Sequence, residues 1–270
     1  MFAQLWKEKF RAVADNDEQK WGSSFDGLPV IGPDDLPAPE RPLVFVVVRA
    51  AHEEVCRQLY ELGLPEADVV DVSVTWNDIS NHQYFGLDSL VHSPHEVFAD
   101  VGALDGRTTA SFLRWSGGQF DHVYCFEPLP KNIETLTQRF ADLHEKGKFD
   151  VIGKAAGDVM GEHSFSVGGT MVNSMGEGAQ ATFPVTTLDS ELAGKGVTFL
   201  TMDIEGAEMT ALRGAEHLIR EERPKLAISV YHKPEDIFEI PALLLEYHAD
   251  YKFYLRHYYL WWQDTVLYAI

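Results

Sequence analysis

The chain has 270 residues, with 22 Lys and Arg against 42 Asp and Glu, a net charge of −20, and 45% hydrophobic residues. That is globular composition with material for one sizeable core. A surface so acidic repels phosphate backbones and anionic headgroups, so neither nucleic acid nor a membrane is expected as a partner.

Two cysteines, Cys56 and Cys125, sit far apart in apolar runs and read as free thiols of a reducing compartment. Residues Met1–Lys9 lack the apolar stretch of a signal peptide, and no run reaches the length of a membrane span. The expected location is the cytoplasm.

In chain order, Leu5, Phe10 and Val13 among Lys and Glu predict an amphipathic helix over residues 2–14. Five prolines between Gly27 and Pro42 predict a linker or an extended wrap. Leu43–Val48 reads as a buried strand, Val55, Leu59 and Leu62 as a helix stopped by Gly63, and Asp68–Ser73 as a second strand. Residues 1–85 thus form an N-terminal helix, a Pro-rich linker and a small β-α-β accessory unit.

From residue 86 to 270 strands and helices alternate. Strands are expected at Glu96–Val101, His122–Phe126, Phe149–Ala155, Thr198–Asp203 and Leu226–Tyr231. Helices are expected at Thr108–Trp115, at Lys131–His144, around Met209, Leu212, Leu218 and Ile219 up to Pro224, and at Glu235–His248. His163–Ser166 with Phe183–Thr186 suggests a hairpin. The closing strands Tyr251–Tyr259 and Thr265–Ala269 are joined too tightly to be parallel neighbours. An alternating α/β sheet, mostly parallel with an antiparallel last strand, is the Rossmann-like layout of a class I methyltransferase.

The most informative stretch is EVFADVGALDGRTT, in which a buried strand enters a glycine turn and then a helix. The spacing is Asp100-x-Gly102-x-x-x-Gly106, with Ala103 and Thr108 in the same turn, rather than the G-x-G-x-x-G that admits a pyrophosphate. An acid at the strand end repels a pyrophosphate and can balance an ammonium or sulfonium, and S-adenosylmethionine carries both. Glu127, followed by Pro128 at the end of the second strand, stands where a carboxylate can hold a ribose diol. Ala156 and Asp158 follow the third strand, where an adenine and its amine can sit.

Four ordered motifs carry a resemblance: FADVGALDGRT at 98–108, FEPLPKN at 126–132, MDIEGAE at 202–208 with LRGA at 212–215, and SVYH at 229–232. They resemble the FkbM-type methyltransferases over roughly residues 82–270, and the preceding β-α-β unit looks like the accessory segment some members carry. The resemblance implies a Rossmann-like fold, S-adenosylmethionine as donor and usually an oxygen acceptor, often on sugars or secondary-metabolite scaffolds. The chain departs from the family at Leu104, where many members have Asn.

Methyl transfer from a sulfonium is an in-line displacement, and a neutral alcohol must also lose a proton. Asp203 and Glu205 after the fourth strand and His232 after the fifth should converge beyond the strand ends. His232 is read as the base, with Asp203 orienting it; Asp203 also borders the donor. Mg²⁺ held by Asp203, His232 and one further carboxylate is the less favoured alternative, and no metal is assigned. Glu208 is read as helix N-terminal charge. The competing functions are an NAD(P)-dependent oxidoreductase and a non-catalytic cofactor-binding module. His92 and His95 read as loop, Tyr254–Trp262 as core or an acceptor wall, and Val167–Gly178 as a candidate lid. A small-molecule or sugar acceptor is expected, and a homo-oligomer stays open.

Overall fold

The computed structural model describes residues 10–36, 40, 42–48, 51–72, 82–166, 180–258 and 264–270. The chain forms two compact units, Met1–Asp78 and Ile79–Ile270.

In the first unit the expected helix over residues 2–14 is not formed where described. Val13–Ala14 is instead a short strand, β1, because it pairs in parallel with Val30–Ile31. The proline-rich segment is likewise more than a linker. Ser24–Phe25 (β2) and Leu28–Ile31 (β3) turn back antiparallel on each other, giving a small sheet in the order β1-β3-β2. Pro29 fits there because β2 and β3 form a ladder of two paired positions, which asks for few donors. Val44–Val46 (β4) and Val69–Asp71 (β5) pair in parallel and flank helix α1, His52–Glu61. Val46, Cys56 and Leu59 make the small core of this β-α-β element, with Leu36, Val44, Val55 and Val69 packed against it.

In the second unit the strands are β6 (Val97–Val101), β7 (His122–Phe126), β8 (Phe149–Ile152), β9 (Ala155–Ala156), β10 (Gly161–Ser166), β11 (Gln180–Thr186), β12 (Phe199–Met202), β13 (Lys225–Ser229), β14 (Phe253–His257) and β15 (Thr265–Ala269). Seven of them form the central sheet, in the order β14-β15-β13-β12-β6-β7-β8. Every pairing in it is parallel except those of β15, which runs antiparallel to both β13 and β14. The class I methyltransferase fold is therefore present. The strand order reverses between β6 and β12, so the crevice at their carboxyl ends is the binding position of an open α/β sheet.

Alternate side chains explain why both faces are dry. Val97, Ala99 and Val101 of β6 join the cluster formed with Leu200, Met202, Leu226 and Ile228 under the later helices. Phe98 points the other way and stacks on Phe112 with ring centroids 4.2 Å apart. Asp100 shares that second face.

The helices are α2 (Arg107–Trp115), α3 (Pro130–Arg139), α4 (Ala141–Glu145), α5 (Leu188–Leu192), α6 (Glu208–Arg213), α7 (Glu216–Glu222) and α8 (Asp236–Tyr247). Two expected single helices are thus broken. One divides at Phe140, whose ψ of 25° leaves the helical region, and the other at Gly214–Ala215. The expected strand to Ala155 also ends early: β9 leaves the central sheet and pairs with β11, which returns antiparallel along β10. The expected lid, 167–178, and residues 259–263 of the aromatic tail lie outside the described residues.

At the other end of β6, Glu96 is fully buried and hydrogen-bonded to the Thr198 hydroxyl and Lys225 Nζ, with the Ser93 N–H also donating to it. This pair ties β6, β12 and β13 together away from the crevice.

Candidate active site

The turn after β6 is shaped by backbone conformations that favour glycine. Gly102 has φ +90°, and a Cβ there would lie 2.1 Å from the carbonyl oxygen of Asp203. Gly106 has φ +81°, and its Cβ would lie 2.6 Å from the Phe140 ring. The glycines thus admit neighbouring protein, where the sequence suggested room for a ligand. Leu104 is also left-handed, with φ +50°. Asn tolerates that region better than Leu, which gives the family's common Asn at this position a backbone reason.

Five N–H groups of the turn are already paired. Those of Gly102 and Ala103 donate to the Phe126 carbonyl, Leu104 to Glu127 Oε2, Gly106 to the Ala103 carbonyl and Arg107 to Asp105 Oδ1. A pyrophosphate cradle needs such donors free. Ala103 is buried, and Thr108 is half-buried on the first turn of α2.

Glu127 is 4% exposed, and its carboxylate bridges two loops, accepting N–H bonds from Leu104 at 3.0 Å and Leu129 at 2.9 Å. Burial raises its pKa, partly offset by these bonds. The Asn132 side chain also approaches this carboxylate and favours its charged form, and the remaining lone-pair capacity is what a ligand could use. Pro128 is half-buried beside it.

Asp100 is buried at the start of the turn. Its carboxylate is 2% exposed and accepts the hydroxyl of Thr109 at 2.6 Å and of Thr201 at 3.2 Å, inside the seam between β6, β12 and α2. Burial pushes its pKa up to about 6, against those two bonds. Strand alternation turns it inward, so it ties the sheet to the helix through Thr109 and Thr201. Ala156 likewise packs its methyl in the core, and Asp158 is exposed on the turn beyond it.

The predicted residues Asp203, Glu205 and His232 do come together. His232 Nε2 lies 3.5 Å from both Asp203 Oδ1 and Glu205 Oε2. Glu205 is left-handed at φ +56°, which bends the chain around the end of β12. Burial pushes the Asp203 pKa up to about 6, with the nearby imidazole pulling it back. Burial also pulls His232 down, but Glu208, Asp203 and Glu205 together outweigh it and leave the ring's pKa raised.

Three further residues of this cluster were not among the expected site residues. Glu208 opens α6 as expected but is fully buried, with Oε1 accepting the Ile204 N–H at 2.9 Å and lying 2.9 Å from His232 Nδ1. Its position four residues after Ile204 in MDIEGAE was the available signal. Tyr84 donates its hydroxyl to Asp203 Oδ2 at 2.8 Å and stands 3.1 Å from Ser229 Oγ; no motif near it pointed there. Tyr231 donates to the same carboxylate at 3.2 Å. Burial and the acid raise both phenols.

His92 instead bonds the Gln119 carbonyl and His95 faces Asp121, as loop residues do. Both cysteines are free and buried. Among the described residues no helix is long and apolar enough to cross a membrane.

The family model of the methyltransferase FkbM domain matches residues 100–256, more than half the chain. The chain belongs to the FkbM methyltransferase family. This FkbM-family chain is similar to the methyltransferase FkbM crystal structure from Methylobacillus flagellatus, with a TM-score of 0.63 and 23% identity over 96% of this chain and 83% of that one. More distant are Aeropyrum pernix fibrillarin with bound S-adenosyl-L-methionine (TM-score 0.44, 14% identity, 72% and 76% covered) and M. capricolum TrmK with S-adenosylhomocysteine (TM-score 0.42, 9% identity, 73% and 67% covered). No curated protein matches the FkbM-family chain closely enough to count as a relative.

Proposed function

We propose that the protein transfers a methyl group from S-adenosylmethionine to a hydroxyl oxygen of a small-molecule or carbohydrate acceptor. The observation that carries this reading is the meeting of Asp203, Glu205, Glu208 and His232 at the carboxyl ends of β12 and β13, against the backbone of the Gly102 turn. A donor site and a proton-handling site therefore adjoin.

The residues fit the donor better than a dinucleotide. Glu127 offers remaining lone-pair capacity to a ribose hydroxyl, while five N–H groups of the turn are already taken and not free for a pyrophosphate. This favours methyl transfer over the NAD(P) reading. S-adenosylmethionine supplies the methyl as an electrophile on a sulfonium. Glu127 would hold the ribose, and the turn from Gly102 to Thr108 would flank the donor.

The chain's own work is alignment, water exclusion and removal of a proton. Tyr84 and Tyr231 fix the Asp203 carboxylate, and Asp203 with Glu205 flanks His232 Nε2. That group is where the acceptor's proton goes. The net charge of −20 suits a neutral acceptor over a polyanion.

Calorimetry with S-adenosylhomocysteine and with NADH tests the donor, and transfer of labelled methyl to hydroxylated acceptors tests the chemistry. Binding of S-adenosylhomocysteine alone is expected. Binding of NADH alone would overturn the reading, and donor binding with no transfer to any hydroxyl would leave a cofactor-binding module.

A further inference from the structure

We infer that Asp203, Glu208 and His232 form a binding site for a divalent first-row metal cation of the Mn²⁺ type. The inference rests on the methyl-transfer reading for the site's purpose, though the binding itself does not.

The first observation is geometric. One ligand atom from each of the three residues lies within 4.8 Å of the others. Two ligands about 2.1 Å from a metal stand about 3.0 Å apart at a right angle and about 3.4 Å apart at a tetrahedral one. Glu208 Oε1 and His232 Nδ1 are 2.9 Å apart, and Asp203 Oδ1 and His232 Nε2 are 3.5 Å apart. Each is the spacing of two groups that can share an ion, but they involve opposite ring nitrogens, of which one cation takes only one.

The second observation is what those groups lack. The His232 side chain is only 9% exposed, yet both ring nitrogens are buried without a hydrogen bond of proper geometry. Glu208 is fully buried, and its Oε2 has no partner. Asp236, also buried and electrostatically coupled to Glu208, has an unpartnered Oδ2. Leaving such groups unpaired in a dry interior is costly, and a shared cation satisfies them together.

The third observation is the support behind the acids. Ligating groups in metal sites are themselves held by hydrogen bonds. Asp203 accepts from the Tyr84 and Tyr231 hydroxyls, and Glu208 accepts from the Ile204 N–H. One ring nitrogen of His232 serves the cation, and the other keeps a carboxylate neighbour, which orients the imidazole.

Charge points the same way. Asp203, Glu205, Glu208 and Asp236 gather on one imidazole, with Lys233 bearing on Asp236 from outside. Two carboxylates and an imidazole suit Mn²⁺ or Fe²⁺ better than Mg²⁺, which prefers oxygen throughout. A cation there supplies charge that lowers the pKa of an acceptor hydroxyl, with His232 as its ligand and Glu205 of the same group left to take the proton.

The test is a Mn²⁺ titration of the chelator-treated full chain, followed by loss of the free-ion paramagnetic resonance signal. One saturable site is expected, weakened more than about 10-fold in both His232→Gln and Glu208→Gln. Asp142→Asn, an exposed acid on α4, should leave it unchanged. Because the site variants could misfold, a second measurement uses the wild type: Mn²⁺ should selectively broaden the imidazole signals of one histidine among the 11. No saturation below about 1 mM, affinity unchanged in the variants, or uniform broadening of all histidines would each overturn the site. Calorimetry with S-adenosylhomocysteine on the same preparation separates the two readings. Donor binding without a Mn²⁺ site removes only the cation, and a Mn²⁺ site without donor binding removes only the methyltransferase.

Discussion

Glu208 Oε1 lies 2.9 Å from His232 Nδ1, although one residue opens helix α6 and the other follows strand β13. The contact places a fully buried acid beside the His232 imidazole. It makes His232 the point on which three carboxylates converge.

Replacing His232 with Ala should therefore separate binding from turnover. Methyl transfer is expected to fall by about 10²–10⁴-fold while the affinity for S-adenosylhomocysteine holds. Single-turnover assays beside calorimetry check both. Unchanged turnover would remove His232 from the mechanism, whether as base or as ligand.

Glu127→Ala removes an acceptor from two N–H groups, those of Leu104 and Leu129. Each buried donor left unpaired costs about 1–3 kcal/mol, so urea denaturation should show a clear loss of stability. The dissociation constant for S-adenosylhomocysteine should rise as well. If it stayed the same in folded variant protein, the ribose assignment would fail.

Gly102→Ala puts a methyl 2.1 Å from the Asp203 carbonyl oxygen at a φ of +90°. Strain of this kind costs on the order of 1–3 kcal/mol, beyond the clash itself. Lower thermal stability and weaker donor binding should appear together, because the turn is pushed off β12.

Asp100 gives a pH dependence with a definite sign. Its folded pKa, about 6, exceeds the unfolded value, so the native state binds the proton more tightly. The stability it contributes is present at acid pH and declines as pH rises from about 4 to 6. Asp100→Asn should escape this decline, gaining on the wild type by on the order of 1–3 kcal/mol between pH 4 and pH 7.5. Denaturation at a series of pH values measures it, and parallel curves for the two proteins would contradict the burial argument.

Lys225→Met tests the sheet away from the site. It leaves Glu96 buried without its cation, a change that costs about 3–5 kcal/mol in comparable pairs. Stability should drop while the folded fraction keeps its affinity for S-adenosylhomocysteine. A selective loss of donor binding would show that the two ends of β6 are coupled.

Much was legible in the sequence because it is local. The buried runs at Val97–Val101 and Lys225–Ser229, the glycine turn and the short connection before Thr265 mark strands, turn and antiparallel ending through side-chain period and backbone freedom. The meeting of Asp203, Glu205 and His232 was legible too, because strand ends in an open α/β sheet share one edge. The first unit was misread where pairing overrode pattern: Val13–Ala14 is a strand only because β3 lies beside it.

The sequence by itself determined the alternation of strands and helices and which strand ends carry acids. Only the tertiary structure decided which way those acids face. Asp100 and Glu208 both looked like ordinary strand-end and helix-start carboxylates. The alternation of β6 turned Asp100 into the seam with Thr109, while the packing of α6 against β13 brought Glu208 to His232. The direction of a side chain depends on what its element packs against, and for these two that neighbour lies on another element of the fold.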